Sequence, residues 1–305
     1  MADLPNVPEG TASATKPRYS FFLGCVMPVK MPWAESSIMQ TLPRFGVDLE
    51  YLRKATCCPR AGVWISVDER VWLTLASYNL LQAEGDGRDV MASCNGCYVT
   101  LYEANKLLKE NPEKLKEVNG YLAEAHNHYN ASIRVRHLLE VLYEEVGVDR
   151  IRQETRKVPI RVALHPGCHM RIFEDGRLVR YFTELTGALV DEVVPYEEEQ
   201  MCCGLQANLA DRQFATYERA KKKFDALKAL NVDALVIVCS GCYDQFERAV
   251  QILKKEIGYE FDLPIIHLAE LLALSLGISP DEFGMRYLRT APVDSIIEKW
   301  ESDRR

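Results

Sequence analysis

Residues 234–242 read Ala-Leu-Val-Ile-Val-Cys-Ser-Gly-Cys, and residues 90–97 read Val-Met-Ala-Ser-Cys-Asn-Gly-Cys. Each stretch is a short apolar run, typical of a buried β-strand, followed at once by a Cys-x-x-Cys pair. The sequence therefore predicts two strands that each present a pair of thiols at the carboxyl end.

All ten cysteines of the 305-residue chain belong to one five-cysteine pattern that occurs twice. In each copy a single cysteine is followed after 31 or 33 residues by a Cys-Cys pair, and after a further 35 residues by the Cys-x-x-Cys pair. Recurrence of a whole spacing pattern indicates an internal duplication. The first set is Cys25, Cys57, Cys58, Cys94 and Cys97, and the second is Cys168, Cys202, Cys203, Cys239 and Cys242.

Each cysteine group follows an apolar run, and amphipathic stretches separate the runs. This alternation predicts an α/β fold of two similar lobes, each a small parallel sheet with crossover helices. The carboxyl ends of such strands meet at one edge, so each five-cysteine set should converge there. The predicted strands are 19–24, 47–52, 90–93, 160–164, 188–190 with 193–194, and 234–238, and the predicted helices are 35–44, 68–84, 97–110, 177–186, 211–230 and 242–257.

The length of the chain suits two lobes of about 150 residues, each with its own core. We place them at 18–153 and 154–305. Residues 1–17 are predicted to form a disordered tail and not a signal peptide, because they lack an apolar core.

Both lobes close with a short strand, a histidine and an amphipathic helix, at residues 133–142 and 263–272. We interpret His137 and His267 as histidines of a strand-to-helix junction, with partnership to a metal site as the alternative. The stretch around 105–126 is predicted to be a helical insertion of the first lobe, with His126 and His128 facing solvent.

Composition narrows the class of protein. The net charge of −7 gives no basic footprint for nucleic acid, and no run of 18 apolar residues is present to span a bilayer. Ten cysteines in 305 residues are too sparse for a secreted disulfide scaffold, which predicts a cytoplasmic protein with reduced thiols. In that compartment Cys-x-x-Cys pairs indicate metal ligands or redox catalysts.

Zinc and iron-sulfur centres are the two metal sites to weigh. A closed zinc site needs four ligands and leaves the fifth cysteine of each set unexplained. Five soft ligands at strand ends favour a polynuclear iron-sulfur centre, although the spacing does not fix the number of irons.

Several stretches resemble the cysteine-rich domain of the B subunit of heterodisulfide reductase, and the resemblance covers residues 19 to about 284. The stretches are Phe22-Leu23-Gly24-Cys25 with Met27-Pro28, Cys57-Cys58-Pro59, Cys94-Asn95-Gly96-Cys97, Pro166-Gly167-Cys168-His169 and Cys202-Cys203-Gly204.

The resemblance implies that each five-cysteine set holds a noncubane [4Fe-4S] cluster, two per chain, with a disulfide cleaved between them. The family reduces the mixed disulfide of coenzyme M and coenzyme B. It also implies two partners, a small ferredoxin-like iron-sulfur protein that corresponds to the C subunit of the family and, through it, a flavin-bearing protein that corresponds to the A subunit.

Four charged or titratable residues close to the cysteines are candidates for anion recognition or thiolate stabilisation, with surface charge as the alternative: Lys30, Arg60, His169 and Arg171. Trp33 and Trp64 could wall the pocket, although core packing is the favoured interpretation for both.

One departure from the family pattern bears on the substrate. Where methanogen reductases tend to continue with glycines after Cys202-Cys203-Gly204, this chain reads Leu205-Gln206-Ala207-Asn208. A relative from sulfur oxidation that acts on another thiol or a persulfide carrier is therefore one alternative. An electron-transfer subunit of a flavin dehydrogenase complex is a second, and a zinc or iron-sulfur scaffold without activity is a third.

Overall fold

The computed structural model describes residues 16–60, 62–172, 175–287 and 289–305. It contains two four-stranded sheets in which every pairing is parallel. Most of the tail predicted over 1–17 lies outside the described residues, and the lobe boundary at 153/154 stays a prediction.

The two sheets have the same strand order. In the first the order is 48–51 (β2), 18–22 (β1), 89–92 (β3) and 135–137 (β4), and in the second it is 190–193 (β6), 158–165 (β5), 234–237 (β7) and 265–267 (β8). This equivalence confirms the predicted duplicated α/β architecture. The strands are β1 Arg18–Phe22, β2 Asp48–Tyr51, β3 Asp89–Ala92, β4 Val135–His137, β5 Val158–His165, β6 Val190–Val193, β7 Ala234–Ile237 and β8 Ile265–His267.

Helices cover the sheets and join the strands. They are α1 Met27–Lys30, α2 Pro32–Thr41, α3 Trp64–Val67, α4 Glu69–Gly85, α5 Asn95–Glu110, α6 Pro112–Ala123, α7 Leu138–Glu140, α8 Val148–Glu154, α9 Arg177–Leu189, α10 Lys222–Lys228, α11 Ser240–Ile257, α12 Leu268–Ser275, α13 Pro280–Phe283 and α14 Asp294–Asp303. Two segments are π-helical: Val141–Gly147 is separated from α8 by the positive φ of Gly147, and Phe214–Lys221 continues into α10. 3-10 turns occupy Leu42–Phe45, Cys168–Ile172, Glu197–Gln200 and Ala207–Leu209.

The central strands are buried on both faces. All four residues of β7 are buried, as are the last four of β1. The edge strands β2 and β6 each keep two residues exposed. This burial is expected for parallel sheets with crossover helices on both faces.

One predicted strand is wrong at its start. Residues 188 and 189 lie at the end of α9, and the strand begins only at Val190. Ala188 and Leu189 are both buried on the apolar face of that helix. They therefore continue the helical pattern to residue 189, two residues into the predicted strand. The predicted helix over 211–230 is also interrupted, because its first part is π-helical.

The two lobes pack through reciprocal helix pairs. Helix α2, which follows the first strand of the first lobe, packs against α12 of the second, while α9, its counterpart in the second lobe, packs against α7 and α8. Each lobe therefore uses equivalent elements to hold the other. No helix in the described part of the chain is long and apolar enough to cross a membrane.

Candidate metal centre between the lobes

The cysteines lie where the strands of each sheet end. Cys94 directly precedes α5 and Cys239 directly precedes α11, each in an extended conformation at the first position before its helix. Cys25 and Cys168 follow β1 and β5 after short turns. The predicted convergence at the carboxyl edge of each sheet is therefore observed.

The ten thiols form one continuous line of neighbours, in which each thiol acts on the pKa of the next. In order along the line they are Cys25, Cys57, Cys58, Cys97, Cys94, Cys239, Cys242, Cys203, Cys202 and Cys168. The order in the second half is that of the first half reversed. The two five-cysteine sets thus meet end to end at the contact between the lobes.

Cys94 and Cys239 form the centre of this line, with 3.7 Å between their sulfur atoms. Beside these two cysteines, a side chain of each lobe forms a hydrogen bond with the other lobe. The Asn95 side chain donates a hydrogen bond to the Pro166 carbonyl at 2.7 Å, and the Ser240 hydroxyl is hydrogen-bonded to the Cys94 thiol. The two Cys-x-x-Cys turns are therefore locked together across the interface.

A glycine precedes the first cysteine of each set, where a larger residue would be strained by a positive φ and would press on a neighbouring side chain. Gly24 has φ +69°, and a Cβ there would lie 2.7 Å from the Cys97 sulfur. Gly167 has φ +81°, and its Cβ would lie 2.9 Å from the Asn95 amide nitrogen and 3.4 Å from the Cys242 sulfur. In each lobe the bare backbone lets the first and last cysteines of the set approach the same point.

Both sets open onto one shared cleft of about 710 Å³, counting its open mouth. Nine of the ten cysteines line it, Cys57 being the exception. Cys25 and Cys57 are exposed, whereas Cys94, Cys97, Cys239 and Cys242 are buried. The thiols of both lobes therefore face the same cleft.

Of the four charged or titratable candidates, the structure brings two into the cleft. Arg60 and His169 line it, and the Arg60 charge acts on the Cys57 thiol. Lys30, the last residue of α1, and Arg171 are exposed and do not line the cleft, although the Arg171 charge acts on the nearby His165. Roles for all four stay predictions.

His169 belongs to the second lobe but lies over the first. Its Nδ1 would be 3.9 Å from a Cβ on Gly96, and its pKa is lowered by burial against an opposing influence of the Cys94 and Cys202 thiols. A neutral imidazole therefore stands between the two sets of cysteines.

The junction histidines cap helices, as the sequence interpretation expected. The Nδ1 atoms of His137 and His267 each accept a backbone N–H at 3.2 Å, and their own backbone N–H groups donate to Glu140 and Glu270 at 2.8 Å. Burial lowers the pKa of His137 to about 3 and that of His267 to about 4. Both histidines are neutral and cap helices, while the nearby Cys94 thiol acts on the pKa of each, so partnership to a metal site stays a prediction. His126 and His128 are exposed, as expected.

The two tryptophans separate. Trp33 is buried in the core, with its ring 4.4 Å from the Arg289 guanidinium carbon, which confirms the core interpretation. Trp64, on α3, is exposed and neither packs in the core nor lines the cleft, so the core interpretation is wrong for this residue.

The thiols fit a site that binds soft metal ions. Hydrogen bonds from Cys57 and Cys97 lower the pKa of Cys58 to about 5, and bonds from Cys168 and Cys203 lower the pKa of Cys202 to about 2. Thiolates are the form that binds iron, and metal replaces the protons held by their neighbours. Five clustered sulfurs per lobe, partly ionised and mostly shielded from water, are suited to an iron-sulfur cluster.

One residue at this site was missed by the sequence reasoning. His165, the last residue of β5, is buried, and a ring nitrogen lies within 4.8 Å of the Cys203 and Cys242 sulfurs, which themselves lie within 4.8 Å of each other. Burial, followed by the charge of the buried Lys223, holds the pKa of His165 well below its usual range. An alignment of the two halves of the chain would have revealed it, because Phe22 holds the same position before Cys25.

Comparison with known proteins agrees with the duplication. The family model described as "Cysteine-rich domain" (CCG) matches twice, at residues 19–102 and 162–247. The B subunit of a CoB-CoM heterodisulfide reductase of Methanosarcina acetivorans is 35% identical over 93% of this chain and 97% of its own length. An 8-methylmenaquinol:fumarate reductase membrane anchor subunit of Wolinella succinogenes is 25% identical over 88% of this chain and 95% of its own length.

A crystal structure of a hypothetical protein from Helicobacter pylori has the same fold, with a TM-score of 0.70 at 16% identity. The similarity covers 88% of this chain and 51% of that one, so the chain spans about half of that protein. Together with the two family matches and the paired sheets, these similarities show that the chain belongs to the cysteine-rich domain family, as a duplicated member related to the B subunit of heterodisulfide reductase.

Proposed function

We propose that this chain is the catalytic component of a heterodisulfide reductase-like complex, in which a disulfide is cleaved or formed between two iron-sulfur clusters. The observation that carries the proposal is the single line of ten thiols, which joins two five-cysteine sets at the Cys94–Cys239 contact and borders one cleft. The matching relatives from heterodisulfide reductases support the same reaction class.

The proposed cofactors are two noncubane [4Fe-4S] clusters. In the first lobe the ligands would be Cys25, Cys57, Cys58, Cys94 and Cys97, and in the second Cys168, Cys202, Cys203, Cys239 and Cys242. Cleavage of a disulfide to two thiols consumes two electrons and two protons. The clusters, when bound, would supply the electrons. Because both cysteine sets line one cleft, both sulfurs of a substrate disulfide would be reduced in the same place.

The residues of the cleft contribute binding and proton handling. Arg60, half-buried at the cleft, offers a fixed positive charge to an acidic substrate tail or to a departing thiolate. The neutral His169 between the two sets can carry a proton to a thiolate on one of its ring nitrogens. Lys30 and Arg171, which are exposed outside the cleft, would act only on approaching anions.

The electrons would come from partner proteins. A small ferredoxin-like protein, equivalent to the C subunit of the family, would contact this chain, and a flavin-bearing protein, equivalent to the A subunit, would lie behind it. A cytoplasmic location belongs to the same proposal. The exposed Cys25 and Cys57 mark the surface at which the first lobe's cluster would lie closest to such a donor.

A second candidate is an electron-transfer component of a flavin dehydrogenase complex. The fumarate reductase relative favours it, because that relative aligns over 95% of its length. A third, action on another thiol or a persulfide carrier, is favoured by Leu205 and Gln206, which line the cleft where a run of glycines would leave more room.

The test is a count of iron, zinc and acid-labile sulfide on anaerobically purified protein, followed by assays with a reduced viologen dye and a panel of disulfides. About eight irons per chain and dye oxidation that depends on a disulfide are expected. The mixed coenzyme M and coenzyme B disulfide is the first substrate to try. About four irons without disulfide-dependent oxidation, or two zincs, would overturn the proposal.

A further inference from the structure

His165 is a buried polar residue without a protein partner. Its side chain is fully buried, and neither ring nitrogen has a hydrogen-bond partner among the residues that the structure describes. Leaving a buried donor or acceptor unpaired costs about 1–3 kcal/mol. A histidine in this place therefore requires either a compensating partner or a packing role that no apolar ring could fill.

The ring faces the thiols of the second lobe. The Nε2 atom lies 3.9 Å from the point that a Cβ on Gly167 would occupy, and that same point lies 3.4 Å from the Cys242 sulfur. A ring nitrogen and the sulfurs of Cys203 and Cys242 all lie within 4.8 Å of one another. On another side the ring packs edge-on against Phe246, with centroids 4.9 Å apart.

The equivalent position of the first lobe excludes a simple packing explanation. Phe22 ends β1 three residues before Cys25, as His165 ends β5 three residues before Cys168. Phe22 is also buried, and its Cε1 lies 3.8 Å from the point that a Cβ on Gly24 would occupy. An aromatic ring without nitrogen therefore fills this space in the same fold.

We propose that His165 donates its ring N–H to a sulfur of the iron-sulfur cluster held by the second lobe and raises the reduction potential of that cluster above that of the first. Hydrogen bonds to cluster sulfurs are among the determinants of such potentials. The inference rests on the proposed function only in that the second cysteine set must hold a cluster. His165 acts as a positioning and tuning residue, and it makes the two lobes electronically different.

The experiment uses the anaerobically purified, iron-loaded protein. The two clusters are followed in a redox titration by electron paramagnetic resonance, and the second-lobe signal is assigned as the one that survives Cys58→Ser. His165→Phe, which installs the first-lobe residue, should make reduction of the second-lobe cluster less favourable by about tenfold in its equilibrium constant, about 59 mV for one electron. His165→Gln, which retains an amide donor, should restore most of the shift, and Phe22→His should shift the first-lobe cluster in the opposite direction.

A measurement on the unmodified protein keeps the proposal testable if a variant does not fold. Pulsed electron paramagnetic resonance should detect a weak ¹⁴N coupling from His165 on the second-lobe cluster. Absence of any ¹⁴N coupling would overturn the inference, and a strong coupling, typical of iron-bound imidazole, would replace hydrogen bonding by ligation and also overturn it. Unchanged potentials in a fully loaded His165→Phe protein would do the same. Protein without iron would instead reject the proposed function.

Discussion

The two lobes share strand order, cysteine spacing and glycine cradles, but they differ in what surrounds the cysteines. The first lobe has Phe22 where the second has His165, and Arg60 where the second has Leu205. The buried Lys223, whose ammonium donates to the Tyr196 hydroxyl and to backbone carbonyls, also belongs to the second lobe alone, where its counterpart is Tyr78. The two lobes thus share the arrangement of their cysteines but differ in the residues around them.

This difference suggests a division of roles. The first lobe presents exposed cysteines and an arginine, which suits electron entry and substrate binding. The second lobe surrounds its cysteines with a buried ammonium and an unpaired imidazole, which suits a site that stabilises negative charge. Variants at equivalent positions of the two lobes test whether the lobes are interchangeable.

The largest effect is expected from the ligands themselves. Cys58→Ser and Cys203→Ser change equivalent cysteines that are both buried in their sets. Each should remove about half of the iron, because one thiolate of five is lost from one cluster, and both should abolish disulfide cleavage. Iron analysis with electron paramagnetic resonance provides the measurement. Loss of all iron in either variant would show that the two sites do not assemble independently.

The next comparison concerns the glutamates that anchor the junction histidines. Glu270 is buried and forms an ion pair with Arg289, whose side chain is only 4% exposed. Glu140 forms an ion pair at 3.3 Å with Arg177, whose side chain is more exposed. Glu140 also interacts electrostatically with Arg136. Arg289→Ala should lower the free energy of unfolding by about 3–5 kcal/mol, because it leaves a buried carboxylate unpaired. Arg177→Ala should cost clearly less, as measured by denaturant unfolding. Equal losses would contradict this account.

A smaller effect is expected at the glycine cradles. Gly24→Ala places a methyl group 2.7 Å from the Cys97 sulfur, whereas Gly167→Ala places one 2.9 Å from the Asn95 amide nitrogen and farther, at 3.4 Å, from the Cys242 sulfur. Both variants carry the strain of a positive φ, about 1–3 kcal/mol. Gly24→Ala should also lower the iron content of its lobe more than Gly167→Ala does. A greater iron loss from Gly167→Ala would reverse the predicted ranking of the two cradles.

The smallest effect is expected at the contact between the Cys-x-x-Cys turns. Asn95→Ala removes the hydrogen bond to the Pro166 carbonyl and should cost about 1 kcal/mol in unfolding free energy. Ser240→Ala, the control at the equivalent position, removes instead a hydrogen bond to the Cys94 thiol and should change the first-lobe cluster spectrum more than the stability. Identical behaviour of the two variants would argue against the asymmetry.

Much of the fold and of the grouping of the cysteines could be predicted from the sequence, because both depend on local patterns. Apolar runs that end in cysteine predict parallel strands with thiols at one edge, and Asp89–Ala92 and Ala234–Ile237 lie where those runs place them. The position of residues 188–189 was missed because an apolar helix end and an apolar strand start look alike in sequence.

The contacts between the lobes could not be predicted, because they depend on packing between distant segments. Nothing in the spacing indicates that Asn95 reaches Pro166 or that the sulfurs of Cys94 and Cys239 lie 3.7 Å apart. A position close to a cysteine in the sequence also did not predict whether a charged residue lines the cleft. Lys30 lies five residues after Cys25, yet α1 ends with it exposed and outside the cleft lining.

The central claim is that the two cysteine sets hold clusters that act together on one disulfide. Mössbauer spectroscopy of ⁵⁷Fe-loaded protein, frozen with and without the mixed coenzyme M and coenzyme B disulfide under reducing conditions, tests it most directly. The account predicts that iron in both lobes changes its spectrum when the disulfide is present, with the lobes identified by Cys58→Ser and Cys203→Ser. A change confined to one lobe, or no change with any disulfide, would contradict it.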